Sequence, residues 1–133
     1  MICNKTPFLS VETDVIISVD TGPELITGST RMKAGTATKM ILNMISTAVM
    51  VKLGKVYGNL MIDLMAVNDK LIDRATRIVS QLAKVDEAEA KEALIDSGMS
   101  VKTAVVMIHC SVDRDSANKV INENKGMLRK IIS

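Results

Sequence analysis

With 133 residues, 47% of them apolar, the chain is long enough to build one modest domain or two small ones around a core. Seventeen basic against fifteen acidic side chains leave a net charge of +2 with no basic arm or acidic tail, and Phe8 and Tyr57 are the only aromatics, so nothing favours nucleic-acid or membrane partners. Cys3 and Cys110 lack metal-ligand spacing and His109 has no second imidazole, which argues against a zinc site and for the reduced, mostly buried thiols of a cytoplasmic protein.

Met1 leads into Cys3, Asn4 and Lys5 rather than into a cationic start and an apolar run, so no secretory signal is expected. Met1–Asn4 reads as the tail of a strand and Lys5–Phe8 as a loop. Val15-Ile16-Ile17-Ser18-Val19 is short, apolar and β-branched, like a buried strand of an α/β sheet. Gly22 and Pro23 stop it, because Pro has no N–H for a sheet ladder and Gly reaches backbone angles closed to other residues. From about Thr36 an apolar run opens a helix, and between Met40 and Leu53 it has almost no polar face. Such a helix is expected to be covered on several sides, by a sheet or by a second copy of the chain. Asn43, Ser46 and Thr47 interrupt the run, leaving it too short and too polar to span a bilayer, and Gly54 fits the left-handed residue that ends it. The ten methionines are expected mainly as flexible core filler.

Lys55–Val67 alternates partly like a strand and partly like a helix, and reads as extended or irregular chain. Leu71, Ile72, Ala75, Ile78, Val79, Leu82 and Ala83 follow helical spacing, with Asn68 as N-cap and Asp69 in the first turn. Three short helices follow over Asp86–Ser97, Ser100–Cys110 and Asp113–Asn124, with a last one over Met127–Ile132; Asp86, Ser100 and Asp113 are the candidate caps. Asp86, Ala90, Leu94, Val101 and Lys102 line up with Asp113, Ala117, Ile121, Leu128 and Arg129, a faint repeat of 27 residues that suits a compact bundle.

The segment richest in chemistry is Gly22–Lys33, which puts Glu24, Ser29, Thr30, Arg31 and Lys33 into one turn between a strand and a helix. Ser29 and Thr30 fall near the helix N-terminus, where unpaired N–H groups favour anions and hydroxyls, and Arg31 and Lys33 add fixed positive charge. Such a turn suits a phosphorylated polyol. Glu24 reads two ways: as a group that meets sugar hydroxyls or handles a proton, or as an acceptor for backbone N–H groups of the turn. Asn59, Asp63 and Asn68 either satisfy backbone groups or line a pocket; His109 suits a helix C-terminus, and Lys102 and Arg129 suit solvated surface.

Gly-Pro-Glu at 22–24, Thr-Gly-Ser-Thr-Arg-Met-Lys-Ala-Gly-Thr-Ala at 27–37 with Lys39, the run Leu53-Gly54-Lys55-Val56-Tyr57-Gly58-Asn59-Leu60-Met61 with Asp63, and Asn68 with Lys70-Leu71 stand together in order. On these residues the chain resembles the second half of a sugar isomerase (SIS) domain, most closely the N-acetylmuramic acid 6-phosphate etherases. The resemblance implies an α/β fold, mostly helical overall: a partial doubly wound, flavodoxin-like SIS half-domain over 1–67, a connecting helix over 68–85 and a small all-α bundle over 86–133 that resembles ubiquitin-associated domains. It implies a carbon–oxygen lyase that removes the D-lactyl ether of N-acetylmuramic acid 6-phosphate, giving N-acetylglucosamine 6-phosphate and D-lactate, with no metal or organic cofactor, as a cytoplasmic homodimer. The family's Gly/Ser-rich phosphate loop and its two catalytic glutamates precede the matched region, and neither Glu12 nor Glu24 corresponds to those glutamates. The chain is therefore expected to be a piece of the enzyme, inactive by itself, that supplies substrate-binding Glu24, Ser29, Thr30, Arg31 and Lys33 and no catalytic residue. The alternative implied by the same loop is a non-catalytic sugar-phosphate-binding regulator.

Overall fold

The computed structural model describes Cys3 and residues 12–132. The expected strand tail at Met1–Asn4, apart from Cys3, and the Lys5–Phe8 loop lie outside the described residues. The chain divides into two compact units, Met1–Val49 and Met50–Ser133.

In the first unit, Val15–Val19 does not form the expected strand. Ser18 alone takes part in a β-bridge, and Val15 and Ile16 are 76% and 54% exposed. A buried parallel strand is held by ladders on its edges and helices on both faces, and β-branching without those neighbours does not build a sheet. The helix α1 (Lys33–Lys52) starts three residues earlier than the apolar run suggests and has no buried residue. Met40, Leu42, Met44 and Ile45 are all exposed, so the covering expected from its composition is not provided by the described residues. By length and composition α1, at 20 residues and a mean hydropathy of 1.2, is apolar enough to cross a membrane, which the shorter run Met40–Val51 was not expected to be. The core helix of a soluble protein meets the same measure, and Lys39 and Asn43 would be costly in hydrocarbon.

The second unit begins with the end of α1. Gly54 at φ +69° donates its N–H to Val51 O at 3.1 Å, and Lys55 N donates to Met50 O at 3.1 Å, the paired bonds that close a helix through a left-handed residue. A hairpin follows: β1 (Val56–Tyr57) pairs antiparallel with β2 (Leu60–Met61) around Gly58, whose φ of +58° suits the first central position of a two-residue turn. Lys55 and Asp63 form an ion pair beside it. Met65 then bridges antiparallel to Ser100, so 55–67 is the extended, irregular chain its pattern suggested.

Four helices complete this unit: α2 (Asp69–Ala83), α3 (Glu87–Asp96), α4 (Val101–Cys110) and α5 (Arg114–Glu123), with a 3₁₀ turn at Leu128–Lys130. Each of the four helices is capped as its sequence suggests. Asn68 accepts from Leu71 N at 3.0 Å, Asp86 from Glu89 N at 2.9 Å, Ser100 from Thr103 N at 3.3 Å and Asp113 from Ser116 N at 3.1 Å. α4 is the central element, burying Val101, Thr103, Ala104, Val105 and Val106, and it packs against α2, α3 and α5. α2 belongs to this packing through Ala75, Ile78 and Val79.

Two expectations are corrected in the side chains. Among the nine described methionines none is buried; the core is Ile, Leu, Val and Ala, whose stiffer rotamers fill close-packed space better. Cys110 is exposed and Cys3 half-buried, so neither thiol is the small buried hydrophobe expected.

Candidate functional site

The loop that enters α1 is built from its backbone outward. Gly22, at φ +65°, donates its N–H to Asp20 Oδ1 at 3.1 Å, which turns the chain ahead of Pro23. Ser29 N donates to Ile26 O at 3.0 Å across a turn in which Gly28 takes φ +83°, an angle open to glycine at little cost. Glu24 crosses the base of this loop: its Oε2 accepts from Lys33 N at 3.0 Å and its Oε1 from Ala34 N at 2.9 Å. In the opposite direction Lys33 Nζ donates to Pro23 O at 2.8 Å.

These bonds decide what the helix N-terminus can do. The next two amides are also taken, Gly35 N by Thr30 O and Thr36 N by Met32 O, both at 2.9 Å. The N–H groups of Lys33, Ala34 and Gly35, which have no partner inside the helix, are thus taken by the loop, and Thr36 N to Met32 O opens the helical ladder, so these three amides are not the unpaired donors expected beside Ser29 and Thr30. The cap is a carboxylate nine residues upstream instead of a local hydroxyl. The bonds from Ala34 and then Lys33 hold the Glu24 carboxyl below the ordinary value of 4.5, with the Lys33 charge adding to them and desolvation opposing.

Of the five candidate residues, the structure brings Glu24, Ser29 and Arg31 around one depression of about 340 Å³, completed by Leu25, Ile26 and Met32. Thr30 and Lys33 do not line it. Arg31 is exposed and makes no ion pair among the described residues, so its guanidinium is available to an anion. A hydroxyl, a guanidinium and an apolar wall around a space of this size suit a polar anion with one hydrophobic face. Among the described residues no group of three or more His, Cys, Asp or Glu side chains could hold a metal ion.

The other candidates are in the second unit. Asn68 is the α2 cap, Asp63 pairs with Lys55, Asn59 is exposed in the hairpin, and His109 is exposed in the last turn of α4. Lys102 is half-buried in the first turn of α4, and desolvation pushes its ammonium below the ordinary lysine value, a shift that Asp63 opposes and Lys55 reinforces. Arg129 is exposed at the edge of a depression of about 190 Å³ that also includes Gly54, Gly58 and Leu128. A feature that sequence reasoning missed is a depression of about 620 Å³ along α2, where Lys70, Arg74 and Arg77 rim an apolar floor of Leu60, Leu71 and Ile78. Its signal was the cationic spacing of four and then three residues, hidden because Asp69 and Asp73 share the helix.

Three relatives resemble the chain in sequence. The chain is 50% identical to N-acetylmuramic acid 6-phosphate etherase of Pseudothermotoga lettingae over 133 residues, 99% of this chain and 44% of that protein. It is 50% identical to the etherase of Clostridium acetobutylicum over 129 residues and 47% identical to that of Clostridium beijerinckii over 130, in each case 43% of the relative. It therefore spans less than half the length of these relatives. The family model for the C-terminal lid domain of glucokinase regulatory protein matches residues 58–104, from the hairpin to the first turn of α4. In sequence, along nearly its whole length, the chain corresponds to the C-terminal portion of the N-acetylmuramic acid 6-phosphate etherases.

Proposed function

We propose that this chain supplies one wall of the substrate pocket of an N-acetylmuramic acid 6-phosphate etherase. The reaction is a carbon–oxygen lyase reaction: the D-lactyl ether of a phosphorylated amino sugar is broken to give N-acetylglucosamine 6-phosphate and D-lactate. It needs a base for the proton beside the sugar aldehyde, an acid for the departing lactate oxygen and an anchor for the phosphate. In this reading the acid and base are residues outside these 133. Ser29 and Arg31 contact the sugar phosphate, Thr30 and Lys33 shape the loop that carries them, and no metal or organic cofactor takes part. The observation that supports it best is the meeting of Ser29 and Arg31 over one depression in a chain half identical to named etherases.

Residues 1–67 are, in the same reading, the second half of an SIS domain in which Val15–Val19 joins a sheet once neighbouring strands are present. The exposed apolar surface of α1 is then covered by that sheet or by a second copy in a cytoplasmic homodimer, since an uncovered patch of this kind marks a contact surface. The match of 58–104 to the lid of glucokinase regulatory protein favours a second reading, a sugar-phosphate-binding regulator without chemistry.

A chimera separates the two. The part of the Pseudothermotoga lettingae etherase that precedes the matched region, joined to this chain, is expected to release D-lactate from N-acetylmuramic acid 6-phosphate, and the 133 residues alone are not. A chimera that binds the sugar phosphate without releasing lactate, beside an active parent enzyme, would support the regulator.

A further inference from the structure

We propose that Glu24 is a positioning residue, a clamp across the base of the 22–33 loop that holds Ser29 and Arg31 in register over their depression. The inference rests on the pocket reading above, and it assigns to Glu24 a task other than touching the sugar. Both carboxylate oxygens are committed to backbone: Oε2 to Lys33 N and Oε1 to Ala34 N, at 3.0 and 2.9 Å. The Lys33 amine returns to Pro23 O at 2.8 Å, so three bonds join residues nine or ten apart and close the segment between them.

Besides these three bonds, that segment is tied to α1 by Gly35 N to Thr30 O and Thr36 N to Met32 O, both at 2.9 Å, and by little else. Leu25 is 90% exposed and Ile26 is 69% exposed, so apolar packing does not fix it, and the bond from Ser29 N to Ile26 O shapes only its central turn. Arg31 and Ser29 lie between the clamped ends and line the depression that Glu24 also borders. A loop with tethered ends has fewer conformations than one tethered at a single point, so the clamp lowers the ordering cost that a ligand of Arg31 would otherwise meet. A carboxylate already accepting two N–H bonds also has reduced capacity to take up a proton, which separates it from the acid and base of the reaction.

The test uses the 133-residue chain with Glu24→Gln, Glu24→Asp, Arg31→Ala and the double variant Glu24→Gln/Arg31→Ala. Amide hydrogen exchange is read at Lys33, Ala34, Ser29 and Arg31, with Val105 in the α4 core as the control for folding. N-acetylglucosamine 6-phosphate is the ligand probe, titrated by NMR. In Glu24→Gln, exchange is expected to accelerate about tenfold at Lys33 and Ala34 and to rise at Ser29 and Arg31, with Val105 unchanged. Affinity for the probe should fall about fivefold in that variant and about tenfold in Arg31→Ala, and the double variant should be no weaker than Arg31→Ala, because Glu24 acts through Arg31. Glu24→Asp, one methylene short of both amides, should behave like Glu24→Gln. Losses that multiply in the double variant would show direct contact of Glu24 with the sugar and overturn the clamp, as would unchanged exchange at Ser29 and Arg31. If neither the wild-type chain nor its chimera with the preceding part of the Pseudothermotoga lettingae etherase binds the probe, the pocket reading fails while the exchange pattern still decides whether the clamp exists.

Discussion

Gly54 and Glu24 carry the sharpest residue-scale consequences. A Cβ on Gly54 would stand 2.9 Å from the Gly126 carbonyl oxygen at a backbone φ of +69°, so strain and overlap act together. Gly54→Ala is expected to lower the unfolding free energy of the second unit by about 2–4 kcal/mol in a denaturant titration. A change within about 0.5 kcal/mol would mean that the 126–127 backbone is free to move away. For Glu24 the sign follows from its depressed pKa: the unfolded chain binds the proton more readily, so the clamp contributes fully above about pH 4.5 and is lost as pH falls through the lower folded value. Protection of the Lys33 and Ala34 amides, corrected for intrinsic exchange, should therefore hold from pH 7 down through pH 4.5 and be lost only at lower pH; protection already lost between pH 7 and 5 would contradict the bonds. Glu24 was legible in the sequence only as an open choice between sugar contact and backbone capping. Its partners are nine and ten positions away, outside the range of any local capping pattern.

At the scale of elements, the helices of the second unit were readable because each carries its own signals. Asn68, Asp86, Ser100 and Asp113 stand at the four N-caps, and the apolar spacing behind them is regular. The 27-residue repeat runs deeper in the structure than its side chains suggested. Ala90 and Ala117 are both fully buried, and the left-handed pair Gly98 and Met99 after α3 corresponds to the pair Lys125 and Gly126 after α5. One helix–turn unit is used twice, the second time ending in the 3₁₀ turn at Leu128–Lys130. Since the caps are local, their effect should be local and modest. Asn68→Ala is expected to cost about 1 kcal/mol, whereas Leu94→Ala, which empties a fully buried site, should cost about 2–5 kcal/mol. Equal losses in a thermal or chemical unfolding series would place the weight of the unit in its caps instead of its core. What the sequence left illegible at this scale is Val15–Val19 and α1, because a sheet strand and a many-sided helix are defined by neighbours that composition cannot supply.

At the scale of the molecule, the chain divides at Val49–Met50, within α1. Hairpin and helices share one core, from Ile62 in the irregular segment to Leu128 and Ile132 at the end. Residues 50–133 are accordingly expected to unfold as one cooperative transition, with equal midpoints by far-ultraviolet circular dichroism and by hydrogen exchange of α4; separate midpoints for the hairpin and the helices would contradict a shared core. In the proposed reading the first unit, with its loop closed by Glu24 and the apolar faces of its described residues open, is a site wall that other parts of an enzyme complete. The most direct measurement of that claim is the KM for N-acetylmuramic acid 6-phosphate of the chimeric etherase with and without Arg31→Ala. Loss of a charge-assisted contact to phosphate is worth about 1.5–3 kcal/mol, so the variant should bind on the order of 10- to 100-fold more weakly, with the fold of the second unit unchanged. An unaltered KM would contradict the account, because the Gly22–Lys33 loop would then stand outside the pocket.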